Sequence, residues 1–158
     1  MEKASSRDLA AEVAQCFGKH PEDFARYMPV VQGWIRAHLF DAAGAGADEH
    51  NPRRGRSRRF PAEALRWARL FTALTTRGAG VVEMEHVAGV LHQYHQADVA
   101  DALAGAEPDV WVIYAAADMS PPVADLHVLR GRVELPDWRQ PSWAPVITAI
   151  NLTRAFNP

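Results

Sequence analysis

Apolar residues recur every three or four positions through the first two thirds of the chain, which is the spacing of a buried helix face. The first helix predicted in this way is capped by Ser5 or Ser6 and ended by Gly18. Its apolar positions are Leu9, Val13, Cys16 and Phe17. Because Cys16 lies within this stripe, we expect the only thiol of the chain to be a buried structural group.

Two prolines divide the next segment in the sequence pattern. Pro21 suits the first turn of a second helix, and Pro29 interrupts that helix and suits the first turn of a third, which we expect to run to about His38. The apolar stripe of the third helix comprises Val31, Trp34, Ile35 and Leu39. Its opposite face carries Gln32, Gly33 and Arg36.

Residues 41–51 are small and acidic and show no periodicity, which predicts a mobile loop. After the loop, Phe60 and Pro61 are expected to open a helix that Gly78 ends. The buried stripe of this helix is expected to be Ala64, Trp67, Phe71 and Leu74. Two further helices are predicted, one from Met84, Val87, Ala88 and Leu91, and a shorter one from Asp98 to Ala104, with Gly105 as its end.

The pattern changes after Pro108, where β-branched and aromatic residues predict three strands. They are expected at residues 110–114 and in parts of 126–135 and of 146–156, with Asn151, Leu152 and Thr153 in the third. We expect the tail tryptophans Trp111, Trp138 and Trp143 either to pack in the core or to line a small-molecule pocket or a subunit contact. The sequence therefore predicts an α+β protein, with a mostly helical domain at 1–105 and a strand-rich region at 106–158.

Composition and charge narrow the function classes. With 48% hydrophobic and 23% charged residues, the chain is expected to fold as a globular protein. Its net charge of -2 conceals a basic segment, because residues 26–77 hold ten arginines against four acids, whereas residues 78–158 hold four arginines against ten acids. A basic segment of this kind gains affinity for a polyanion by releasing its counterions.

Two groups of residues carry the candidate binding chemistry. Gln32 and Arg36 lie four positions apart, hence on one helix face, and such side chains can pair bidentately with adenine and guanine edges in the major groove. Gly33 between them would allow a close approach of the helix backbone to DNA. The second group is an arginine run with five arginines in seven positions, Arg53, Arg54, Arg56, Arg58 and Arg59.

The order of these parts resembles the winged helix-turn-helix of MerR-type regulators. In that family a recognition helix ends in a Gly-Leu-Leu-like turn and leads to a wing that closes on an Arg-Arg-Tyr-like element. Residues 34–40 (WIRAHLF) and 58–60 (RRF) occupy the corresponding places here. The helices expected after the wing are similar to residues 62–76 and 83–91, with Gly78 between them.

The resemblance implies a sequence-specific, homodimeric transcriptional regulator that binds double-stranded DNA. It places the arginine run at the phosphates or the minor groove, with Gln32 and Arg36 nearer the bases. The tail departs from the family, because no long heptad repeat for a dimerisation coiled coil follows Leu91. We expect the tail to make dimer, effector or partner contacts, and the sequence does not distinguish between these three. The alternative function is a protein-interaction adaptor, or an architectural or recombination accessory protein, that uses the arginine run.

Other chemistry has little support in the sequence. His92 and His95 could grip a metal ion with Asp98, or His95 could simply continue the buried stripe while His92 points to solvent, and we assign no metal ligands. We find no phosphate loop, nucleophile elbow or recognisable carboxylate pair, so we expect neither catalysis nor a cofactor. Without an apolar spanning segment or signal peptide, the protein is expected in the cytoplasm, away from membranes.

Overall fold

A computed structural model describes residues 3–47, 58–116, 123–131 and 146–157. It shows a mixed α+β protein with small antiparallel sheets, as the sequence predicts. The elements, in chain order, are β1 (Lys3–Ser5), α1 (Ser6–Cys16), α2 (Phe24–Arg36), α3 (Leu39–Ala42), β2 (Arg59–Pro61), α4 (Ala64–Thr76), α5 (Val81–Tyr94), α6 (Gln96–Ala104), β3 (Val110–Ala116), β4 (Val123–Arg130), β5 (Val146–Asn151) and α7 (Leu152–Phe156).

Helix α1 begins with a reciprocal cap. The Ser5 hydroxyl accepts a hydrogen bond from the Asp8 backbone at 3.3 Å, and the Asp8 carboxylate accepts one from the Ser5 backbone at 2.7 Å. These bonds satisfy two donors that the start of a helix otherwise leaves unpaired. The stripe is confirmed at Leu9 and Val13, but the expectation of a buried Cys16 is wrong. Cys16, in the last turn of α1, and Phe17, which follows the helix, are both exposed, so the predicted buried stripe holds only at Leu9 and Val13.

Helix α2 is continuous, so the predicted break at Pro29 is wrong. A short turn of 3-10 helix at Pro21–Asp23 leads directly into it, and Pro29 lies inside it. A proline within a helix removes one backbone hydrogen bond. Pro29 itself is exposed, while Val31 and Trp34 on the other side of the helix are buried. The packing of Val31 and Trp34 therefore keeps the helix continuous despite the missing backbone hydrogen bond.

The segment after α2 is more ordered than its composition predicts. Residues 41–47 were expected in a mobile loop, but Leu39–Ala42 form α3, and Ala43 and Ala45 are buried. Gly44 has a φ of +68°, and a Cβ atom there would lie 2.2 Å from Cε1 of His92. The small residues therefore allow close packing on α5. Residues 48–51 of the expected loop lie outside the described residues.

Phe60 and Pro61 belong to a strand and not, as predicted, to the start of a helix. Strand β2 pairs antiparallel with β1, so that Ala4 lies opposite Phe60 and Ser5 opposite Arg59. The ring of Phe60 is buried 5.4 Å from that of Phe40. Because β2 pairs with a strand more than fifty residues away, the local sequence shows no periodicity from which this strand could be predicted. Helix α4 begins only at Ala64.

The later helices follow their predicted stripes. Ala64, Trp67, Phe71 and Leu74 of α4 are buried, and so are Met84, Val87, Ala88 and Leu91 of α5. Helix α6 ends at Gly105, which adopts a φ of +68°. The hydrophobic period thus predicts the buried faces of these helices correctly.

The tail forms the three expected strands in the antiparallel order β4-β3-β5. The strand expected at Leu152 and Thr153 is wrong, because Leu152–Phe156 form helix α7. The side chain of Asn151, at the end of β5, caps this helix by accepting a hydrogen bond from the Arg154 backbone at 2.9 Å. Trp111 is half-buried. Trp138 and Trp143 lie outside the described residues.

One hydrophobic core runs through the described residues. Phe71 contacts the rings of Trp34, Phe40 and Trp67, and the ring centre of Phe156 lies 5.4 Å from that of Trp67. Buried residues of β3 and β5 belong to the same cluster. The helical part and the tail therefore share a core, and the division of the chain at residue 105 stays a prediction.

Candidate nucleic-acid interface

The exposed face of α2 carries the residues assigned to base contacts. Val31 and Trp34 turn inward, which leaves the side chains of Gln32 and Arg36 exposed on the opposite side. Nε of Arg36 donates a hydrogen bond to the backbone oxygen of Gln32 at 3.2 Å, so the guanidinium lies along the helix surface. The donors on the two Nη atoms of Arg36 can pair with a guanine edge or with a phosphate.

Gly33 opens this face to close approach. A Cβ atom at Gly33 would meet no neighbouring atom within 4 Å, so the glycine is not required for packing of the described residues. Glycine inside a helix costs roughly 0.5–1 kcal/mol relative to alanine. Gly33 thus lowers helix stability without a packing reason, which is consistent with a close contact between this position and a binding partner.

The strand pair brings the end of the arginine run to the same face. Arg58 and Arg59 are exposed, and Arg59 lies opposite Ser5 in the β1–β2 ladder. A shallow depression of about 290 Å³ is lined by Ser6, Gln32, Ile35, Arg36 and Arg58. Three of the predicted binding residues, Gln32, Arg36 and Arg58, therefore line one depression. Arg53, Arg54 and Arg56 lie outside the described residues.

Asp8, an acid close enough to Arg59 to feel its charge, is engaged in the cap of α1. Hydrogen bonds from Ser5 lower the pKa of Asp8, and the positive charges of Arg59 and Arg7 lower it further. Asp8 is therefore ionised at neutral pH and is held by the backbone of Ser5. Between Asp23 and Asp41 the chain has no other acid, so the exposed side of α2 is free of carboxylates of its own.

The structure adds three residues that the sequence analysis missed. Ser6 lines the depression, and Arg7 places its guanidinium 4.3 Å from the ring centre of Phe24 at the start of α2. Arg26 is exposed and lies seven positions before Gly33, which puts both on one side of α2. This spacing was available in the sequence, but the assumed break at Pro29 placed Arg26 on a different helix.

The histidines considered as metal ligands have other contacts. The ring of His92 packs beside Gly44, and Nδ1 of His95 lies 3.3 Å from the Asp98 carboxylate. Asp98 also accepts a hydrogen bond from Arg130, at 2.7 Å from Nη2. Within the described ranges, no group of three or more His, Cys, Asp or Glu residues is placed to hold a metal ion.

Comparison with known proteins identifies no relative. No family model matches the chain, and no curated protein or solved structure is significantly similar to it. In the part of the chain that the structure describes, no helix is both long and apolar enough to cross a membrane.

Proposed function

We propose that this chain binds duplex DNA through a winged helix-turn-helix similar to that of MerR-type regulators, and that it acts as a sequence-specific transcriptional regulator and not as an enzyme. The observation that carries this proposal is the shared depression of Gln32, Arg36 and Arg58. An exposed helix face with bidentate side chains lies beside the end of an arginine run, which is the arrangement that a groove and its flanking phosphates require.

The two groups of residues have different roles in the proposal. Helix α2 enters the major groove, where Gln32 and Arg36 contact base edges and Gly33 allows the backbone to come close. Arg58 and Arg59, together with Arg53, Arg54 and Arg56, form the wing that contacts phosphates or the minor groove. Sequence preference then depends on the helix, and most of the affinity depends on the wing.

The first test is a fluorescence-anisotropy titration of a labelled duplex from the chain's own upstream region, with a shuffled duplex of equal length as control. If about five phosphates are neutralised, the logarithm of affinity falls against the logarithm of salt concentration with a slope of about -4 to -5. Affinity that is absent, or that does not change with salt, would contradict the proposal.

Three variants separate base contacts from phosphate contacts. Arg36→Ala is expected to lose about 1–3 kcal/mol of preference for the specific duplex. Arg58→Ala and Arg56→Ala are expected to weaken both duplexes equally and to reduce the salt slope by about 1 each. Arg66→Ala, on α4 and outside the depression, is the matched control and should change neither quantity. Equal effects of all four changes would favour the adaptor alternative.

The proposed active form is a homodimer that binds two half-sites. Its recognition helices should then contact DNA about 34 Å apart, or at another spacing that bending of the DNA allows. Light scattering of the free protein measures its mass, and footprinting of the complex measures the half-site spacing. A monomer that protects a single short site would contradict this part of the proposal while leaving the DNA contacts of α2 intact.

A further inference from the structure

A second cavity lies at the far end of α1 from the candidate DNA surface. It has a volume of about 400 Å³ and opens between α1, α4 and α7. This volume is within the range of small-molecule sites, about 300–1,000 Å³. Since α1 rises roughly 1.5 Å per residue, its two ends separate Ser6 from Cys16 by about 15 Å. The cavity and the DNA-binding depression share no lining residue.

The lining of this cavity carries an excess of positive charge. It contains three arginines, Arg69, Arg77 and Arg154, and one carboxylate, that of Glu12. Glu12 is already in an ion pair with Nε of Arg69, and Nη1 of Arg69 donates to the Phe156 backbone oxygen at 2.5 Å. The carboxylate is thus balanced by Arg69, and the charges of the other two arginines have no counterpart in the lining.

The remaining arginines are accessible to a ligand. Arg77 is exposed and donates from Nη1 to the Ala73 backbone oxygen at 3.0 Å, which is a neutral acceptor. The side chain of Arg154 is 80% exposed, and its Nε lies 3.3 Å from the Asp109 carboxylate. Exposed ion pairs of this kind contribute little and exchange readily for a stronger anion.

An apolar edge accompanies the charges. The ring of Phe17 lines the cavity and is stacked on Tyr27 at 5.5 Å between ring centres. Although it is fixed by this stack, Phe17 remains 43% exposed. Cys16 precedes it in the lining. A flat apolar body could therefore lie against Phe17 while an anionic group meets the arginines.

We propose that this cavity binds a small organic anion, in which a phosphate or carboxylate group contacts Arg77 and Arg154 and an aromatic or short aliphatic body packs on Phe17. Arginine suits this task because its planar fork of donors pairs with two oxygens of one anionic group. The proposal depends on residues of the second cavity alone and does not require the chain to bind DNA.

The single thiol of the chain provides a direct assay, because Cys16 lies in the lining and no other cysteine can react. The rate of Cys16 alkylation by iodoacetamide is measured by mass spectrometry with phenyl phosphate, with benzoate, and with uncharged benzyl alcohol. Partial burial raises the pKa of this thiol, so all reactions are run at one alkaline pH and one ionic strength.

Saturable protection by an anion is the expected result. At a concentration about ten times its Kd, the ligand leaves roughly a tenth of the sites free, and alkylation slows about tenfold. Benzyl alcohol should not protect. Protection by phenyl phosphate or by benzoate supports the site and identifies the preferred anionic group, whereas protection by neither, or equal protection by benzyl alcohol, overturns the proposal.

Matched variants locate the protection. Arg77→Gln, directly after α4, is expected to lose most of the protection, while Arg66→Gln, on α4 but outside the lining, should retain it. Each variant is compared with its own ligand-free rate, which corrects for any change in thiol reactivity. Equal protection in both variants would overturn the proposal, and so would displacement of phenyl phosphate by a short duplex DNA. Arg36→Ala serves as the reverse control, since it should weaken DNA binding without affecting protection.

Discussion

At the scale of single residues, a substitution at the half-buried Gly33 of α2 can separate the stability of the fold from the proposed DNA binding. Gly33 and Gly89 both lie inside helices, and a Cβ atom at either would meet nothing within 4 Å. Both therefore have the same conformational cost and the same steric freedom. Only Gly33 lies between the proposed base-contacting residues, so the pair distinguishes a functional glycine from an incidental one.

We expect Gly33→Ala to stabilise the fold and to weaken DNA binding. Alanine should raise the free energy of unfolding by roughly 0.5–1 kcal/mol, measured by urea denaturation. Affinity for the specific duplex should fall about tenfold, the equivalent of one lost charged hydrogen bond. Gly89→Ala should stabilise the fold similarly and leave affinity unchanged. Unchanged DNA binding in Gly33→Ala would contradict the close approach.

At the scale of elements, the start of α1 links local sequence to the proposed interface. The Ser5 and Asp8 cap fixes the first turn of α1, whose residue Ser6 lines the depression beside Arg36 and Arg58. Strand β2 reaches the same place by pairing with β1. The cap thus stabilises the start of α1 and also fixes the position of Ser6, beside which Arg36 and Arg58 lie.

The cap should make stability depend on pH. Because the pKa of Asp8 is lowered from 3.8 in the folded state, its contribution is present above pH 3.8 and is lost as pH falls through the lower folded value. Asp8→Asn should therefore be less stable than the natural chain at pH 7, with the difference disappearing in stronger acid. Ser5→Ala should cost about 1 kcal/mol at pH 7. Urea denaturation across this pH range measures both, and a pH-independent difference for Asp8→Asn would argue against the cap.

At the scale of the whole molecule, the tail is joined to the helices through aromatic packing. Phe156 of α7 is fully buried against Trp67 of α4, and Arg69 of α4 donates to the Phe156 backbone. Tyr114 of β3 is buried and donates a hydrogen bond to the Glu83 carboxylate of α5 at 2.7 Å. These contacts extend across the predicted boundary at residue 105.

We therefore expect Phe156→Ala to weaken both parts of the chain together. Loss of the buried ring should cost about 3–5 kcal/mol in urea denaturation. Hydrogen exchange followed by mass spectrometry should show faster exchange in peptides of α1 as well as β3. Val82→Ala, at a side chain that is 63% exposed, is the control and should have little effect. Faster exchange confined to the tail would show that the two parts unfold separately.

The sequence alone was sufficient for features that depend on local periodicity and caps. The buried faces of α4 and α5, the end of α6 at Gly105 and the three tail strands follow from patterns within ten to fifteen residues. The shared face of Gln32 and Arg36 follows in the same way, because any helix places positions four apart on one side.

Tertiary structure decided what depends on distant partners. Whether Pro29 ends a helix depends on how strongly Val31 and Trp34 are packed, and whether Phe60 begins a helix or joins a strand depends on β1. The segment after α2 is ordered because Leu39, Phe40 and Ala43 are buried and Gly44 lies close to His92 of α5. The end of the tail forms α7, in which Phe156 packs on Trp67. The same long-range pairing brings Arg58 to Gln32 and Arg36, so the candidate interface is predicted by sequence in its parts and assembled only by the fold.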